Sequence, residues 1–537
     1  MNSLSKIFNN KTIHYLVLIA VIAYLLFFYC YGYIKYDYAV APGDDNIRHM
    51  SEAKYISDHG APIAHEGSFD PPLFHLLLSS LSLVSGLSIA VTTKIFAPLL
   101  AILATLSIYY LTRRLLGSKR LALIALLLLV FLSPQPYQIY NDGTYLNIFA
   151  ATYLLIFTLA FVPPLLKDGG VSLKIILPFL IFSAALLLSH SLSATYFILI
   201  MAVYCLILLL KYRRRFFHKK NLLIPLVILI IVVLPFTWKF YLKDSIQKAL
   251  SSLGLIEINT NNILSADFTT INPVPSFGTY EWLLNYLPII FSLFGLIFLL
   301  KIFKNKINEK WLAVSWVVAM FIGSRTSFFQ LPERFARDMA FVVIILSGVF
   351  IYSIAFQSNK LYRLVIISTI VILLSLNLPS QITTATNYDP MVRVQASDKK
   401  AMQWLVDNTQ PNDIIMGAPR TIVAGDWGSY INLLTDRTTI DGTLCADNDD
   451  DVCDQLYNPN SKISLQYYQQ NSIDYVYAGH IILGGFINKE NIDWSYTKKL
   501  AQAAFLTKVA EFKENNDLGA VTIYRVDHDK LNNLLST

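Results

Sequence analysis

The stretch from Ile13 to Ile34, IHYLVLIAVIAYLLFFYCYGYI, decides the fold class of this chain. It contains no aspartate, glutamate, lysine or arginine, and its length matches the roughly 20 residues that a helix needs to cross a bilayer. The run is too long for the apolar core of a signal peptide, and no small-residue cleavage pattern follows it. We therefore interpret it as a membrane span that the protein retains.

Comparable apolar runs continue to about Pro379, whereas the sequence from Gln381 onward resembles an ordinary soluble domain. Hydrophobic residues make up 55% of the 537 residues and charged residues 15%. This balance favours repeated membrane crossing over one large soluble core. About eleven spans are predicted. They cover residues 12–34, 89–112, 120–133, 144–166, 172–189, 192–211, 220–240, 284–303, 311–324, 336–356 and 362–379.

The sequence thus predicts a polytopic α-helical membrane protein with a C-terminal α/β domain. The transmembrane domain comprises residues 1–380 and the soluble domain residues 381–537. In the soluble domain we expect helices at 398–408 and 463–471, and strands at 414–416, 474–477, 507–512 and 520–526.

Basic residues in the links between spans set the orientation, because cytoplasmic links carry an excess of lysine and arginine. The clusters are Arg113, Arg114, Lys119 and Arg120; Lys211, Arg213, Arg214, Arg215, Lys219 and Lys220; Lys301, Lys304, Lys306 and Lys310; and Lys360 with Arg363. With these links inside, the N-terminus is cytoplasmic and the C-terminal domain extracytoplasmic, in a multi-pass protein of the cell membrane. Because the basic residues serve orientation, we expect no nucleic-acid partner.

The first outer loop, residues 35–88, contains an apolar segment from Pro71 to Ser85. At about fifteen residues this segment is short for a span. Counting it as a span would also place the Arg113 cluster on the wrong side of the membrane. We therefore predict an interfacial helix on the outer face.

Polar residues that can carry chemistry collect in the outer loops. They are Asp44, Asp45 and His49 in the first loop, Asp142 in the second, His190 in the third, and Arg334 and Arg337 at the entrance of a later span. Such a gathering predicts a site at the membrane surface, where a lipid-borne substrate presents its polar head.

The carboxylates have two interpretations each. Asp44 or Asp45 is either a general base or metal ligand, or the cap of the helix that follows the Pro-Gly turn. Asp142 is either a second oxygen ligand that converges on the same site, or part of an Asn-Asp-Gly turn. Asp45 and His49 share a helix face. With Asp142 they are candidate ligands of a divalent cation, Mg²⁺ or Mn²⁺.

The arginines and the histidine also have two interpretations each. Arg334 and Arg337 either hold an anionic head group or pair with Glu333 and Asp338, because a guanidinium near lipid is costly without a partner. His190 is either a ligand or a satisfied interfacial histidine.

These segments together resemble the GT-C superfamily, membrane glycosyltransferases with polyprenyl-phosphate-linked donors, among them oligosaccharyltransferases, protein O-mannosyltransferases and aminoarabinose transferases. The acidic first loop followed by Pro71-Pro72-Leu73-Phe74-His75 is similar to that family's opening, in which an early aspartate is catalytic and an interfacial helix follows. Asp142 stands in the place of the second acidic motif. Glu333-Arg334-Phe335 resembles the late span whose arginine contacts the donor phosphate.

A fourth likeness lies in the soluble domain. The stretch Gly425-Asp426-Trp427-Gly428 resembles the signature with which oligosaccharyltransferases recognise the acceptor sequon, although Ala424 and Gly425 replace its paired tryptophans.

The resemblance implies an inverting glycosyltransferase of the cell envelope. It would move a sugar from a polyprenyl phosphate or pyrophosphate carrier to a protein, lipid or glycan acceptor on the outer face. The implied roles are catalysis for Asp45, Asp44 and Asp142; donor phosphate binding for Arg334, Arg337 and His190; and acceptor binding for Trp427, Asp426 and His75.

Two further expectations concern the cysteines of the soluble domain and a rival function. Cys445 and Cys453 are close in the extracytoplasmic domain, where a disulfide between them is expected. The rival function is a transporter or flippase for a lipid-linked or anionic substrate, which would place ionisable residues at mid-depth in several spans. In this sequence the charges sit at span ends.

Overall fold

The computed structural model describes most of the chain, and all statements below concern the described residues. These are residues 11–36, 40–43, 45–60, 71–135, 137–166, 172–212, 274–302, 306–326, 331–357, 368, 394, 396–417, 424–425, 428–441, 458–479, 495–514 and 520–536.

Long apolar helices dominate the first two thirds of the chain. They are α1 Lys11–Tyr36, α2 Asp45–His59, α3 Leu73–Ser85, α4 Ile89–Leu116, α5 Lys119–Leu132, α6 Tyr137–Asn141, α7 Tyr145–Asn147, a π-helix Ile148–Leu154, α8 Leu155–Leu165, α9 Leu173–Leu187, α10 Ser191–Tyr212, α11 Phe277–Leu284, α12 Tyr286–Ile302, α13 Ile307–Ser324, α14 Pro332–Asp338 and α15 Ala340–Gln357.

Nine of the predicted spans coincide with helices of this bundle. The predicted spans 220–240 and 362–379 lie outside the described residues. Five helices are long and apolar enough to cross a membrane on their own. They are Lys11–Lys35, Ile89–Leu116, Tyr145–Leu165, Ser191–Lys211 and Pro332–Phe356. The protein is therefore a polytopic helical membrane protein.

The loop at residues 35–88 contains both helices that the sequence predicts. Helix α2 begins at Asp45, directly after the Pro-Gly turn, and α3 coincides with the proposed interfacial segment. A left-handed glycine ends α3, and Ser88 then caps α4 by accepting a hydrogen bond from the amide of Val91. The turn between α3 and α4 is thus set by local sequence.

The C-terminal third forms a five-stranded mixed sheet flanked by helices. Its elements are α16 Ala396–Asn408, β1 Ile414–Gly417, β2 Ala424–Gly425, β3 Gly428–Ser429, α17 Tyr430–Thr435, β4 Thr438–Asp441, α18 Lys462–Gln470, β5 Tyr475–Ala478, α19 Ser495–Gln502, β6 Leu506–Phe512, β7 Val521–Val526 and α20 His528–Ser536. The strand order is β4-β1-β5-β7-β6, with β2 and β3 in a separate hairpin. Strands β4, β1 and β5 run parallel, whereas β7 is antiparallel to β5 and β6.

The helices and strands that the sequence predicts in this part are all present, and the sheet adds β4, which the sequence analysis did not identify. Asp426, Trp427, Cys445 and Cys453 lie outside the described residues, so their predicted roles stay predictions.

The C-terminal sheet and its helices pack on the loop at residues 35–88. Buried side chains of α2, among them Met50 and Ala53, share one apolar cluster with Tyr430 and Ile431 of α17 and with Ile89 at the start of α4. The basic residues Arg113 and Arg114 lie at the other end of α4. The sheet and the basic link are therefore at opposite ends of this span.

Candidate functional site

Two glycine-bearing loops touch at the end of the bundle that faces the sheet. Gly43 and Gly143 have φ angles of +99° and +75°, and a Cβ added to Gly43 would lie 2.0 Å from the backbone nitrogen of Gly143. Only glycine allows both the left-handed backbone and so close an approach. The hydroxyl of Tyr145 also donates to the carbonyl of Pro42 at 2.6 Å. The first two acidic loops therefore meet, with Asp142 beside the contact.

The second acidic loop also reaches the late arginines. Oδ2 of Asp142 lies 3.9 Å from the guanidinium of Arg337. Nε of Arg337 donates to Asp338 at 3.0 Å, and the hydroxyl of Tyr196 donates to the same carboxylate at 3.0 Å. Arg337 and Asp338 are both buried. Arg337 thus has carboxylate partners that offset the cost of burying its charge.

Asn147 joins the two arginines to His190. Its amide orientation is assigned from its neighbours: the oxygen lies 3.3 Å from Arg334 Nη1 and 3.1 Å from Arg337 Nη2, and the nitrogen lies 3.0 Å from His190 Nε2. Asn147 is only 2% exposed. We call Asn147, His190, Arg334, Arg337 and Asp338 the arginine cluster.

A π-helix begins directly after Asn147 and occupies seven residues of the span Tyr145–Leu165. Such wider turns are rare and occur often at functional sites. The hydroxyl of Ser107 on α4 donates to the carbonyl of Thr152 within this segment at 3.2 Å. The wider turn therefore begins directly after the residue that contacts both arginines.

His190 lies in the link between α9 and α10 and is buried. Burial, and then the positive charges of Arg334, Arg337 and Arg48, lower the pKa of His190 to about 3. The ring is therefore neutral at physiological pH and offers an unprotonated nitrogen. Its Nδ1 lies 2.8 Å from the Ser193 hydroxyl.

A second chain of polar groups runs from α2 to α3. Nε of Arg48 donates to Glu52 at 3.1 Å, the other oxygen of Glu52 lies 3.0 Å from His75 Nδ1, and His75 Nε2 lies 3.0 Å from His49 Nδ1. We call these four residues the histidine chain.

Both imidazoles of the histidine chain are neutral. Burial, and then Arg48, lower the pKa of His75 to about 3. The pKa of His49 falls well below its ordinary value because of burial and then the neighbouring His75, Arg48, His190 and Arg334. The influence of Arg334 and His190 on His49 places the histidine chain beside the arginine cluster. A neutral imidazole has one nitrogen that donates a hydrogen bond and one that accepts.

Several of the predicted site residues lie close together. For the others, the structure shows no contact with this group or does not describe the side chain. His49, Asp142, His190, Arg334 and Arg337 belong to one neighbourhood. Asp44 lies outside the described residues, and Asp45 is described only as the first residue of α2. His75, expected to bind the acceptor, is 1% exposed, and both its ring nitrogens face protein groups.

Two of the three predicted cation ligands face other protein groups. Asp142 faces Arg337, and His49 directs Nδ1 at His75. Within the described part of the chain, no three His, Cys, Asp or Glu side chains come close enough to hold a metal ion. The side chain of Asp45, the third predicted ligand, lies outside the described residues, so the predicted ligand set stays a prediction.

Sequence analysis did not identify Asn147, Tyr196, Glu52 or the role of Arg48. Asn147 follows Asp142 by five residues at the start of an apolar run, which is the one signal that could have marked it. A polar amide at a span entrance needs a hydrogen-bonding partner.

The fold is shared with solved membrane glycosyltransferases of the GT-C type. The oligosaccharyltransferase of Archaeoglobus fulgidus aligns with a TM-score of 0.59 at 15% identity, over 88% of this chain and 70% of that one. Other structures of that enzyme contain dolichol-phosphate with an inhibitory peptide, or zinc and sulfate.

Two further solved structures share this fold. ArnT from Cupriavidus metallidurans, bound to undecaprenyl phosphate, gives a TM-score of 0.57 at 14% identity, over 95% of this chain and 98% of that one. The mycobacterial arabinofuranosyltransferase AftD gives 0.55 at 14% identity, over 95% of this chain and 42% of that one. These likenesses confirm the predicted GT-C fold.

None of the curated proteins matches the sequence. A family profile matches residues 5–334, which is more than half of the chain. The protein therefore belongs to DUF6541, a family of unknown function.

Proposed function

We propose that this protein is an inverting glycosyltransferase that moves a sugar from a polyprenyl phosphate or pyrophosphate carrier to an acceptor on the outer membrane face. The observation that carries the proposal is the convergence of both acidic loops with the arginine cluster. Gly43 contacts Gly143, and Asp142 lies beside Arg337. The solved structures with this fold bind dolichol-phosphate and undecaprenyl phosphate, which supports a lipid-phosphate donor.

The reaction needs a base on one side of the sugar and a positively charged side chain on the other. Asp45, with Asp44 beside it in sequence, takes the proton from the acceptor hydroxyl. The acceptor oxygen then bonds to the anomeric carbon as the bond from that carbon to the carrier phosphate breaks. The negative charge that develops on the leaving phosphate is stabilised by Arg334. Attack opposite the leaving group inverts the configuration.

The orientation that the sequence predicts fits this assignment. The loops of the candidate site lie at the end of the bundle that carries the sheet, and Arg113 and Arg114 lie at the opposite end of α4. By the positive-inside rule the basic end is cytoplasmic. We therefore place the site, the sheet and the acceptor on the outer side.

A rival transporter function receives less support. Within the described spans, charged side chains cluster near helix ends, as Arg334, Arg337 and Asp338 do at the start of Pro332–Phe356. A conduction path would require ionisable groups at mid-depth.

The test is sugar transfer by the purified protein in lipid nanodiscs. A panel of dolichyl- and undecaprenyl-linked radiolabelled hexoses and pentoses would be supplied with membrane extract as the acceptor source. We expect Asp45→Asn to lower transfer about a thousandfold while expression and melting temperature stay unchanged, because the amide cannot accept the proton.

The matched control is Asp58→Asn, which changes an acid on the same helix whose nearest cation is Lys54 at 3.4 Å. We expect it to retain full transfer. Undiminished transfer by Asp45→Asn would remove Asp45 from the mechanism. Uptake of the labelled lipid without any transfer product would favour the transporter.

A further inference from the structure

The first acidic loop lies where two apolar clusters meet. Val40 belongs to the cluster that contains Tyr430 of α17, in the C-terminal part of the chain. Ala41, the next residue, belongs to the cluster of the membrane helices, which contains Tyr145. Val40 is 2% exposed and Ala41 is 1% exposed. The backbone therefore passes from one core to the other directly before the two aspartates at positions 44 and 45.

Buried side chains hold two successive carbonyl groups of this loop. Nδ2 of Asn46 on α2 donates to the carbonyl of Ala41 at 2.7 Å. The hydroxyl of Tyr145, at the start of a membrane span, donates to the carbonyl of Pro42 at 2.6 Å. Asn46 is 0% exposed and Tyr145 is 1% exposed. Buried polar groups are paired within the protein in nearly all cases, so these bonds fix the backbone on the side of the membrane helices.

The next carbonyl, that of Gly43, is contacted from the C-terminal part of the chain. The hydroxyl of Tyr430, a residue that is 1% exposed, donates to it at 3.5 Å. Tyr430 begins α17 and directly follows strand β3, Gly428–Ser429, of the small hairpin. On its other side Gly43 touches the second acidic loop at Gly143. The turn is thus held between the hairpin and the second acidic loop.

We propose that Tyr145 and Tyr430 are positioning residues for the reaction, and that the C-terminal part of the chain belongs to the catalytic unit because Tyr430 holds the first acidic loop in place. The inference rests on the proposed glycosyltransferase function and adds to it two residues that act through the loop backbone. A displacement of about 1 Å in a catalytic group costs about a hundredfold in rate. Side chains that fix the carbonyls directly before the acidic pair therefore influence the rate.

The experiment compares tyrosine-to-phenylalanine variants, each of which removes one hydroxyl and keeps the ring. Tyr145→Phe and Tyr430→Phe are each paired with a control that loses a buried hydroxyl elsewhere. The control for the first is Tyr204→Phe, because the Tyr204 hydroxyl donates to a backbone carbonyl of α13 at 3.1 Å. The control for the second is Tyr477→Phe, because the Tyr477 hydroxyl donates to a carboxylate of α16 at 2.5 Å.

Transfer is measured in nanodiscs with the labelled donor of the panel that the wild-type protein turns over fastest, at saturating membrane extract. We expect Tyr145→Phe to lower kcat about tenfold and Tyr430→Phe about threefold, because the hydroxyl-to-carbonyl distances are 2.6 Å and 3.5 Å. The KM for the donor should change less than about twofold. Both controls should lower the melting temperature and keep the kcat of the wild type.

A second measurement does not require transfer. Hydrogen exchange of the full-length protein in nanodiscs without donor, followed by mass spectrometry, reports local opening of the loop. We expect the peptide that covers residues 40–50 to exchange at least about threefold faster in Tyr145→Phe and Tyr430→Phe. The same peptide should exchange at the wild-type rate in Tyr204→Phe and Tyr477→Phe.

The outcomes separate the positioning role from the proposed function. Unchanged exchange of the loop peptide in Tyr430→Phe, or a fall in kcat no larger than that of Tyr477→Phe, overturns the role of Tyr430. Unchanged kcat with a larger amount of extract needed for half-maximal transfer makes Tyr430 an acceptor-binding residue, which also overturns it. Faster loop exchange in Tyr145→Phe and Tyr430→Phe, with no transfer by the wild type from any donor, supports the attachment of the loop and contradicts the proposed enzyme.

Discussion

The arginine cluster and the histidine chain lie side by side, and their charges are balanced differently. In the histidine chain the one cation, Arg48, faces Glu52, and both imidazoles are neutral. In the arginine cluster Arg337 is matched by Asp338, but Arg334 has an amide as its neighbour. A matched group stabilises the fold, whereas an unmatched cation at an accessible position is available to a ligand.

Among the changes that test this contrast, the largest effect is expected at Arg334. We expect Arg334→Ala to lower kcat/KM for sugar transfer about a hundredfold, in line with the loss of one transition-state contact of about 3 kcal/mol. Its melting temperature in detergent should stay within error, because the side chain is partly exposed and Asn147 keeps Arg337 as a partner. The measurement is transfer at saturating acceptor.

The matched control is Arg325→Ala, which removes a guanidinium that donates to the carbonyl of Pro275 and lies over the Phe277 ring. Transfer should survive this change. A large fall in melting temperature for Arg334→Ala, with unchanged transfer by the folded fraction, would make Arg334 a structural residue and remove the contrast with the histidine chain.

That contrast marks what the sequence can and cannot predict. An apolar run such as Ile13 to Ile34 is a local pattern with one physical cause, so the spans follow directly from the sequence. The predicted topology puts Asp142 and the late arginines on the same side of the membrane. Their proximity is therefore also expected from the sequence. The sequence analysis left ion pairing and head-group binding open for Arg334 and Arg337. The structure pairs Arg337 with Asp338 and leaves Arg334 accessible.

The remaining features depend on contacts between distant segments. Asn147 contacts residues more than 180 positions further along the chain, and no pattern around it predicts the wider helical turn that follows it. The burial of His75 likewise depends on how α3 packs against α2. The acceptor-binding role that the resemblance implies for His75 stays a prediction.

The next effect concerns pH and tests the neutral histidine chain. The pKa of His75 is about 3 in the folded protein and lies near 6.5 when the chain is unfolded. Below pH 6.5 the unfolded chain gains a proton that the folded chain does not take up, so stability falls as pH decreases. His75 alone should cost about 2 kcal/mol between pH 6.5 and pH 5.

The measurement is the melting temperature in detergent at pH 7.5, 6.5 and 5.0 for the wild type and for His75→Gln. Glutamine keeps one donor and one acceptor but does not titrate, so the variant should lose less stability on acidification. Binding of the lipid-phosphate donor at pH 7.5 should be the same in both proteins. Parallel melting curves for the two proteins would show that His75 is not a neutral buried group.

The smallest effect is expected from a charged pair that lies outside both groups. Lys54 on α2 contacts Asp436 at 2.5 Å, and that aspartate side chain is 76% exposed. Exposed pairs contribute little, so Lys54→Ala should destabilise the protein by less than about 0.5 kcal/mol and leave donor binding unchanged. Ile431→Ala, which truncates a fully buried side chain in the same contact between α2 and the sheet, should cost about 2–5 kcal/mol.

Thermal unfolding of the two variants separates the contributions, since the apolar cluster and the ion pair join the same two parts of the chain. A larger loss for Lys54→Ala than for Ile431→Ala would mean that charge, not apolar burial, holds the sheet on the first loop. The presence or absence of a nearby carboxylate would then not distinguish a structural cation from a ligand-binding cation. The assignment of Arg334 as the accessible cation would have to rest on donor binding alone.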